Sequence, residues 1–353
     1  MTIHSVIPSA ALDLGFFSTK MAFLAKEASS KVRTDQFPSL APVLRTQLLE
    51  LPSFNKPDGC VVKVGGSSYF TGTGVHQVMD SGGMTRSATP DYSTTPEYKA
   101  LFLGALWHMA RAMRLGDCNL KFEHFAVGLP MAGLRTHAKS LQALCTGSHL
   151  IPGVADPGAL FKVVISKVHV LSQPQGCMLS LLNQFPQIKQ EKVLVLDMGG
   201  GTFDWFLAER MVSNTHKSGS HPKGMLNCAT AVCEKLAPGS TGNQALLDRI
   251  DEALRLDLPS IKVFGKETEL APALPAALEI VSSCLRQMAL SVGDMAAIDR
   301  VVLSGGGAPM LAKAWAHVFP KLGHMIQAVD DPVYANVRGF LMYANSVASA
   351  RKG

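Results

Sequence analysis

Two glycine-rich segments of the sequence carry an aspartate beside a turn and could bind a metal ion together with a phosphorylated ligand. The first is LDLGFFSTK, in which Asp13 precedes Gly15, and the second is LDMGGGTFD, in which Asp197 precedes three glycines. Backbone N–H groups exposed in a glycine turn donate hydrogen bonds to phosphate oxygens without interference from a side chain. An aspartate repels phosphate but binds Mg2+, which takes one or two carboxylates together with substrate phosphates. The two segments therefore predict a polyphosphate site with Mg2+ held by Asp13 and Asp197.

Residues around the two aspartates supply the other predicted ligand contacts. Lys20 is a compact cation that can reach the β- and γ-phosphates of a nucleotide. A third segment, SGGGAPM, places three glycines before a predicted helix, where a nucleoside or an α-phosphate can be received. The predicted cofactor-binding residues are Gly15, Ser18, Thr19, Lys20, Gly199, Gly200, Gly201, Thr202, Gly305, Gly306 and Gly307.

Several other phosphate-binding and catalytic motifs do not occur in the sequence. The pattern G-x-x-x-x-G-K-[ST] is missing, which excludes a P-loop protein. The segment SGGGAPM lacks the last glycine of G-x-G-x-x-G, so a Rossmann dinucleotide site is not favoured. Neither the metalloprotease pattern H-E-x-x-H nor the nucleophile-elbow pattern G-x-S-x-G is present.

The elements that position these residues are predicted from the alternation of apolar and turn-forming segments. SAALDLGFFSTKMAF and VLVLDMGGGTFDWFLAER each predict a strand, an Asp-x-Gly turn and a second strand. Two similar hairpins, about 180 residues apart, favour a duplicated architecture with one copy in each of two domains. IDRVVLSGGGAPMLAKAWAHVF instead predicts a buried strand, a turn and a helix. Strands and helices alternate between these segments, including a strand predicted to end at Gln173, so the fold class is α/β.

The composition is that of a folded protein with two substantial cores. Of the 353 residues, 47% are hydrophobic and 17% are charged, and no apolar run reaches the roughly 18 residues of a membrane span. The seven cysteines lack zinc-ligand spacing, and the N-terminus lacks the pattern of a secretory signal. The net charge of +6 comes without a dense basic run interleaved with aromatic residues. A cytoplasmic location with no membrane contact is therefore predicted.

Taken together, the three glycine segments resemble those of the actin-like ATPase superfamily. LDLGFFSTK resembles its first phosphate loop, LDMGGGTFD its second, and VVLSGGGAPML its adenosine loop. The resemblance implies an actin-like, ribonuclease H-like duplicated fold of two lobes, with ATP and Mg2+ in a nucleotide cleft. It also implies a Glu or Gln that orients the attacking water from a connecting helix, which VLSQPQGCMLSLL resembles. That role goes to Gln173, with Gln175 as the alternative, and the implied catalytic residues are Gln173, Asp13 and Asp197.

Shorter segments along the chain, such as QFPSLAP, SSYFTGTGV and VRGFLMYA, resemble the ParM/StbA-like proteins of plasmid segregation. The resemblance implies an ATPase that forms a homopolymeric filament and moves plasmid DNA through a separate DNA-binding adaptor on centromere-like DNA. The implied lobes are 1–172, with an inserted subdomain around 35–95, and 173–330, with an inserted subdomain around 215–295. Residues 331–353 are predicted to form a C-terminal helix that returns to the first lobe.

Two features leave alternatives open. Phe16 and Phe17 stand where the superfamily commonly has small residues, so a hydroxyl contact to the γ-phosphate comes from Ser18 or is absent. Asp204 either supports the waters of the metal or pins the second hairpin by a hydrogen bond.

Three rival functions also remain open. They are a non-polymerising ATP-dependent switch or scaffold, a chaperone-like ATPase and a small-molecule kinase. In the kinase, Asp204 would serve as the catalytic base. The chain ends at VASARKG, soon after the last predicted helix, so no peptide-binding domain is expected.

Overall fold

A computed structural model of the protein describes residues 3–24, 32–44, 56–79, 89 and 91–350. The chain divides into two compact units. The first comprises Met1–Leu129, Gly133–Leu171 and Phe340–Gly353, and the second comprises Pro130–Ala132 and Ser172–Gly339. The inserted subdomain predicted around 35–95 includes 45–55, 80–88 and 90, which lie outside the described residues.

Strands and helices alternate along the chain. The strands are β1 (Ser5–Leu14), β2 (Ser18–Leu24), β3 (Val32–Pro38), β4 (Cys60–Val64), β5 (Ser67–Thr71), β6 (Leu120–Leu129), β7 (Gly147–Pro152), β8 (Leu160–Ser172), β9 (Lys192–Met198), β10 (Phe203–Glu209), β11 (Val212–Ser213), β12 (Gly219–His221), β13 (Ser260–Val263), β14 (Lys266–Glu269), β15 (Arg300–Ser304) and β16 (Ile326–Ala328). The helices are α1 (Pro96–Ala112), α2 (Met131–Cys145), α3 (Gln173–Gln184), α4 (Met225–Leu236), α5 (Gln244–Leu256), α6 (Leu274–Val292), α7 (Ala308–Val318) and α8 (Ala335–Ser349). Among the helices of the described residues, none has the length and hydropathy needed to cross a bilayer.

The first unit is built on a six-stranded sheet of order β3-β2-β1-β6-β8-β7. β1 forms an antiparallel hairpin with β2, in which Asp13 lies opposite Lys20, and pairs in parallel with β6. The second half of β1 is buried throughout, as expected for a strand covered on both faces. α1 begins after Thr95, whose hydroxyl accepts a hydrogen bond from the Tyr98 N–H, and Pro96 is its first residue. The apolar side chains of α1 pack with those of β1 and β6 into one core.

The second unit repeats this arrangement. Its larger sheet has the order β11-β10-β9-β15-β16, and β12 also pairs with β10. β9 forms an antiparallel hairpin with β10 and pairs in parallel with β15. The central strand of each unit therefore has its hairpin partner on one side and a parallel strand on the other. The duplication predicted from the two Asp-x-Gly hairpins is present in the sheets, and α4 to α7 supply most of the core around the second one.

The boundary between β8 and α3 lies earlier than the sequence predicts. The strand ends at Ser172 and Gln173 is the first helical residue, whereas the apolar pattern extends the strand through Gln173. Ser172 has extended backbone angles, and its N–H donates to Oε1 of Gln175 across 3.0 Å. This bond, together with Pro174 in the first turn, fixes the start of the helix.

Candidate functional site

The first glycine segment forms a tight turn that joins β1 to β2. The Gly15 N–H donates to the Ser18 carbonyl across 3.2 Å, which closes a four-residue turn. Asp13 lies fully buried just before this turn, and its Oδ2 is 3.7 Å from Nζ of Lys20 on the opposite strand. The hairpin register thus brings together the carboxylate and the ammonium that the sequence assigns to metal and phosphate.

The other side chains of the first turn have partners within the first unit. The Thr19 hydroxyl is buried and lies 3.0 Å from Oγ of Ser39. Phe16 packs its ring against Tyr92, with 5.0 Å between the ring centroids, and is half-buried. The Phe17 carbonyl accepts a hydrogen bond from the Ser39 N–H across 2.9 Å. The Phe16 ring therefore packs on Tyr92, in the segment that precedes α1. The Thr19 hydroxyl forms a hydrogen bond with the Ser39 hydroxyl.

The second glycine segment forms a turn with the same closure. The Gly199 N–H donates to the Thr202 carbonyl across 2.9 Å. The first amides of α4, those of Met225 and Leu226, donate to the carbonyls of Gly199 and Gly200 across 2.9 and 2.8 Å. A Cβ at position 224 would lie 2.5 Å from the Gly200 oxygen, so only glycine permits this approach.

These carbonyl contacts fix the direction of the loop amides. In a trans peptide the C=O and the following N–H point to opposite sides of the chain, and the described residues contain no cis peptide. Because the carbonyls of Gly199 and Gly200 face α4, the N–H groups of Gly200 and Gly201 point away from that helix. Two adjacent amides directed to the same side of a loop are suited to bind an anion.

Asp204 is held by two hydrogen-bond donors. Its Oδ2 accepts from the Thr202 hydroxyl across 2.7 Å, and its Oδ1 accepts from the Met131 N–H, at the start of α2, across 3.0 Å. A carboxylate at a helix N-terminus is stabilised by the amides there. These contacts favour the role in which Asp204 pins the second hairpin by hydrogen bonding. Because the Thr202 hydroxyl donates its hydrogen to Asp204, only the backbone of Thr202 is left for a contact with phosphate.

Asp197 lies at the end of β9, directly opposite Asp204 in the hairpin register. It is buried, and its Oδ2 accepts a hydrogen bond from Nδ2 of Asn336 across 2.6 Å. Its Oδ1 faces Gly305, where a Cβ would lie only 2.3 Å away. Asn336 is not predicted from the sequence, because a single asparagine in a helical segment carries no local signal that it will bond a residue so distant in the chain.

The third glycine segment lies directly on the second. Gly305 has a φ of +80°, and its N–H donates to the Pro332 carbonyl across 3.1 Å. The Gly307 N–H donates to the Met198 carbonyl across 3.0 Å. The chain order of the two segments gives no indication of this contact, which results from the parallel pairing of β9 with β15.

A side chain that the sequence does not single out borders the third segment. A Cβ at Gly306 would lie 2.8 Å from Cδ of Arg255 on α5. The Arg255 Nε donates to Oδ2 of buried Asp251 across 2.7 Å, one helical turn earlier. The ion pair holds the arginine stem beside the glycines, where a bulkier loop residue would collide with it.

The two glutamines at the start of α3 differ in their surroundings. Oε1 of Gln175 accepts the Ser172 N–H and serves as part of the helix cap. Gln173 is the first helical residue and is largely buried. The cap occupies the side-chain oxygen of Gln175, the predicted alternative to Gln173.

Burial shifts the pKa values of a thiol and an imidazole near the second segment. Burial raises the pKa of the Cys177 thiol to about 12, and the neighbouring Asp197 charge adds to the rise. Burial, together with the charge of Lys223, lowers the pKa of His221, which pairs with Phe203 at the start of β10.

Each of the two predicted metal ligands, considered within its own unit, has the chemistry of a ligand to a hard divalent cation. Asp13 and Asp197 are buried carboxylates, each at the base of a glycine turn, and Gly305 keeps the space beside Oδ1 of Asp197 free of a side chain. Mg2+ binds through one or two such carboxylates and completes its shell with water and phosphate oxygens. Within the described ranges, no group of three or more His, Cys, Asp or Glu side chains is arranged to hold a metal ion.

Comparison with known proteins identifies both a domain family and the fold. Residues 11–176 match the family described as the N-terminal domain of actin-like proteins. No curated protein matches the chain.

Solved structures resemble the chain over nearly its whole length. The archaeal actin homolog Ta0583 is 19% identical, with 96% of this chain and 99% of that chain covered and a TM-score of 0.72. The ParM protein of psk41, in its apo form, is 19% identical, with 99% of each chain covered and a TM-score of 0.68. A ParM from Clostridium botulinum, solved as a 15-stranded filament, is 17% identical, with 96% and 99% covered and a TM-score of 0.70. Ta0583 has also been solved in complex with ADP.

These matches confirm the actin-like fold predicted from the three glycine segments, and ParM proteins are among the structures that share it. The chain has the actin-like fold, and its residues 11–176 are similar to the N-terminal domain of actin-like proteins.

Proposed function

We propose that the protein binds and hydrolyses Mg-ATP and polymerises into filaments that segregate plasmid DNA. The observation that carries the nucleotide part is the orientation of the second glycine turn. Its carbonyls are bound by the amides of Met225 and Leu226, so the N–H groups of Gly200 and Gly201 are presented together to an anion. The ADP complex of Ta0583, a protein of the same fold, supports an adenine nucleotide as the ligand.

The proposed division of labour follows from the chemistry of each side chain. Lys20 neutralises charge on the β- and γ-phosphates, and the buried carboxylates of Asp13 and Asp197 hold Mg2+. When bound, Mg2+ neutralises the negative charge that develops on the transferred phosphoryl group. Gln173 orients the attacking water by hydrogen bonding, because a neutral amide cannot remove a proton as a strong base does. The glycines at 305–307 contact the nucleoside end.

The filament part of the proposal is supported by the fold and by proteins that share it. The ParM from Clostridium botulinum forms a 15-stranded filament. Hydrolysis would then change the stability of the filament, because nucleotide-bound and nucleotide-free loops favour different arrangements. As in the resemblance drawn from the sequence, the filament is proposed to act on plasmid DNA through a separate DNA-binding adaptor.

One experiment tests both parts. Mg-ATP is added to the purified protein while light scattering and phosphate release are recorded together, with a non-hydrolysable ATP analogue and the Gln173→Ala variant in parallel. We expect scattering to rise and then decay as phosphate appears, and to persist with the analogue or the variant. Phosphate release with no change in scattering over a wide protein concentration would leave a non-polymerising ATP switch. Transfer of phosphate to an added acceptor would indicate a kinase instead.

A further inference from the structure

The hairpin formed by β13 and β14 ends in an unusual turn. Its two central residues are Phe264, with a φ of +48°, and Gly265, with a φ of +82°. A two-residue hairpin turn with positive φ at both positions is of type I′, which favours Asn, Asp or Gly at the first position. A Cβ is unfavourable at this φ, and a bulky aromatic residue is rare there.

The aromatic ring of Phe264 contributes little to the fold of the unit that carries it. Phe264 is 75% exposed, whereas Ile261 and Val263 on the same hairpin are buried in the core. A residue in a strained backbone conformation whose side chain has few contacts within its own chain is a candidate for a contact outside it.

The base of the same hairpin forms an apolar groove with negative charge. The groove has a volume of about 500 Å³ and includes Leu258, Leu270, Leu274, Glu267 and Glu269. Its third carboxylate, Asp257, forms an ion pair with Lys313, and Glu267 lies opposite Lys262 in the hairpin register. Glu269 lies opposite Ser260, so among the described residues of the groove it is the carboxylate that does not face a lysine. We call Phe264 and this groove the hairpin surface.

A complementary surface lies on the first unit of the chain. β7 is the terminal strand of the six-stranded sheet, and terminal strands present backbone groups that can pair with another chain. In its register with β8, Leu150 lies opposite Lys162 and Pro152 lies opposite Leu160, so these four side chains share one face. Leu150 and Leu160 are 56% and 61% exposed. This edge surface is apolar and carries Lys162, whereas the hairpin surface is apolar and carries the carboxylate of Glu269.

We propose that the hairpin surface of one molecule binds the edge surface of a second copy of this chain. The two surfaces differ from each other, so the contact is heterologous and can repeat from copy to copy, and it gives an open polymer if the repeat does not close into a ring. The proposal rests on the proposed filament function and names the contact through which copies associate. Phe264 is the central aromatic anchor, the type of residue that dominates interface energetics.

Substitution of the turn residue separates association from folding. Phe264→Asn places a favoured type I′ residue at the tip, so we expect a higher urea midpoint. Because the same change removes the aromatic anchor, we expect an about tenfold higher critical concentration for assembly. Arg210→Asn is the matched control, because Arg210 occupies the first position of a similar turn, with a φ of +49°, between β10 and β11. The control should also raise the midpoint but leave assembly unchanged. Wild-type assembly by Phe264→Asn would overturn the proposal.

A nucleotide-independent measurement distinguishes this proposal from the proposed function. Chains with Phe264→Cys and chains with Leu160→Cys are mixed with a short bis-maleimide, both in a Cys118→Ser background because the other six cysteines are buried. We expect a cross-linked dimer from this pair and none when Arg210→Cys replaces Phe264→Cys. A cross-link without ATP hydrolysis would support the contact and refute the ATPase. Assembly driven by Mg-ATP without the cross-link would refute the contact alone. If neither the cross-link nor the assembly is observed, both proposals are refuted.

Discussion

Nδ2 of Asn336 lies 2.6 Å from Oδ2 of Asp197, although 139 residues separate the two in the chain. Both side chains are buried, and the bond joins the start of α8 to the end of β9. A hydrogen bond to a buried carboxylate is worth more than one between neutral groups, because the charged acceptor is costly to leave unpaired. Asn336 therefore fixes the orientation of the carboxylate that we assign to Mg2+.

Removal of this bond should weaken both folding and nucleotide binding. For Asn336→Ala we expect the free energy of unfolding to fall by about 1–3 kcal/mol. We also expect most of the stabilisation by Mg-ATP to disappear from urea unfolding curves. Asn243→Ala is the control, since Asn243 caps α5 by accepting the Leu246 N–H and should cost only about 1 kcal/mol. Equal loss of nucleotide stabilisation in the two variants would contradict the assignment of Asn336.

The two glutamines at the start of α3 should separate catalysis from capping. Gln173→Ala should slow phosphate release about a hundredfold with little change in stability, because it removes the group that orients water. Gln175→Ala should lower the free energy of unfolding by about 1 kcal/mol and leave turnover nearly intact, because it removes the acceptor for the Ser172 N–H. Single-turnover phosphate release and urea unfolding measure the two effects. The reverse pattern would move the catalytic role to Gln175.

Gly305 should tolerate no side chain. In Gly305→Ala, the new Cβ would lie 2.3 Å from Oδ1 of Asp197 and 2.5 Å from the Met198 carbonyl, at a φ of +80°. We expect a loss of more than about 2 kcal/mol in the free energy of unfolding. Gly242→Ala is the control, because a Cβ there would meet no atom within 4 Å. Thermal unfolding of the two variants is the measurement, and similar melting temperatures would show that the third segment adapts around a side chain.

A buried histidine should make the first unit sensitive to acid. His108 stacks on Phe37, with 4.6 Å between centroids, and within the described residues its buried Nε2 has no hydrogen-bond partner. Burial lowers the pKa of His108 to about 4 from its ordinary 6.5. The unfolded chain therefore binds this proton first, and stability is lost as pH falls from about 6.5 towards 4.

The size of this effect follows from the two pKa values. Between pH 7.5 and 5.5 the free energy of unfolding should fall by about 1 kcal/mol through His108 alone. His108→Phe keeps a ring against Phe37 but cannot bind the proton, so the pH dependence of its urea midpoint should be shallower by that amount. If the urea midpoints of the wild type and the variant depend on pH with the same slope, His108 has an ordinary pKa in the fold.

Much of the fold follows from local patterns in the sequence. Buried apolar runs that end in Asp-x-Gly predict two hairpins, because a hidden strand needs apolar residues on both faces and a tight turn needs glycine. The strand–turn–helix at 300–318 follows from the change in hydrophobic period from a continuous run to a helical one. The hairpin of β13 and β14 escapes prediction, because its turn carries Phe264 where an Asn or Gly would have signalled it.

The sequence alone determined which residue types stand in each glycine segment, because backbone freedom and side-chain charge are properties of single residues and their neighbours. Only the tertiary structure decided which atoms meet. Parallel pairing of β9 with β15 places Gly305 on Asp197, α4 turns the amides of Gly200 and Gly201 away from itself, and α8 brings Asn336 to Asp197. Such contacts between residues distant in the chain depend on sheet order and helix packing, which leave no trace in the local spacing of residues.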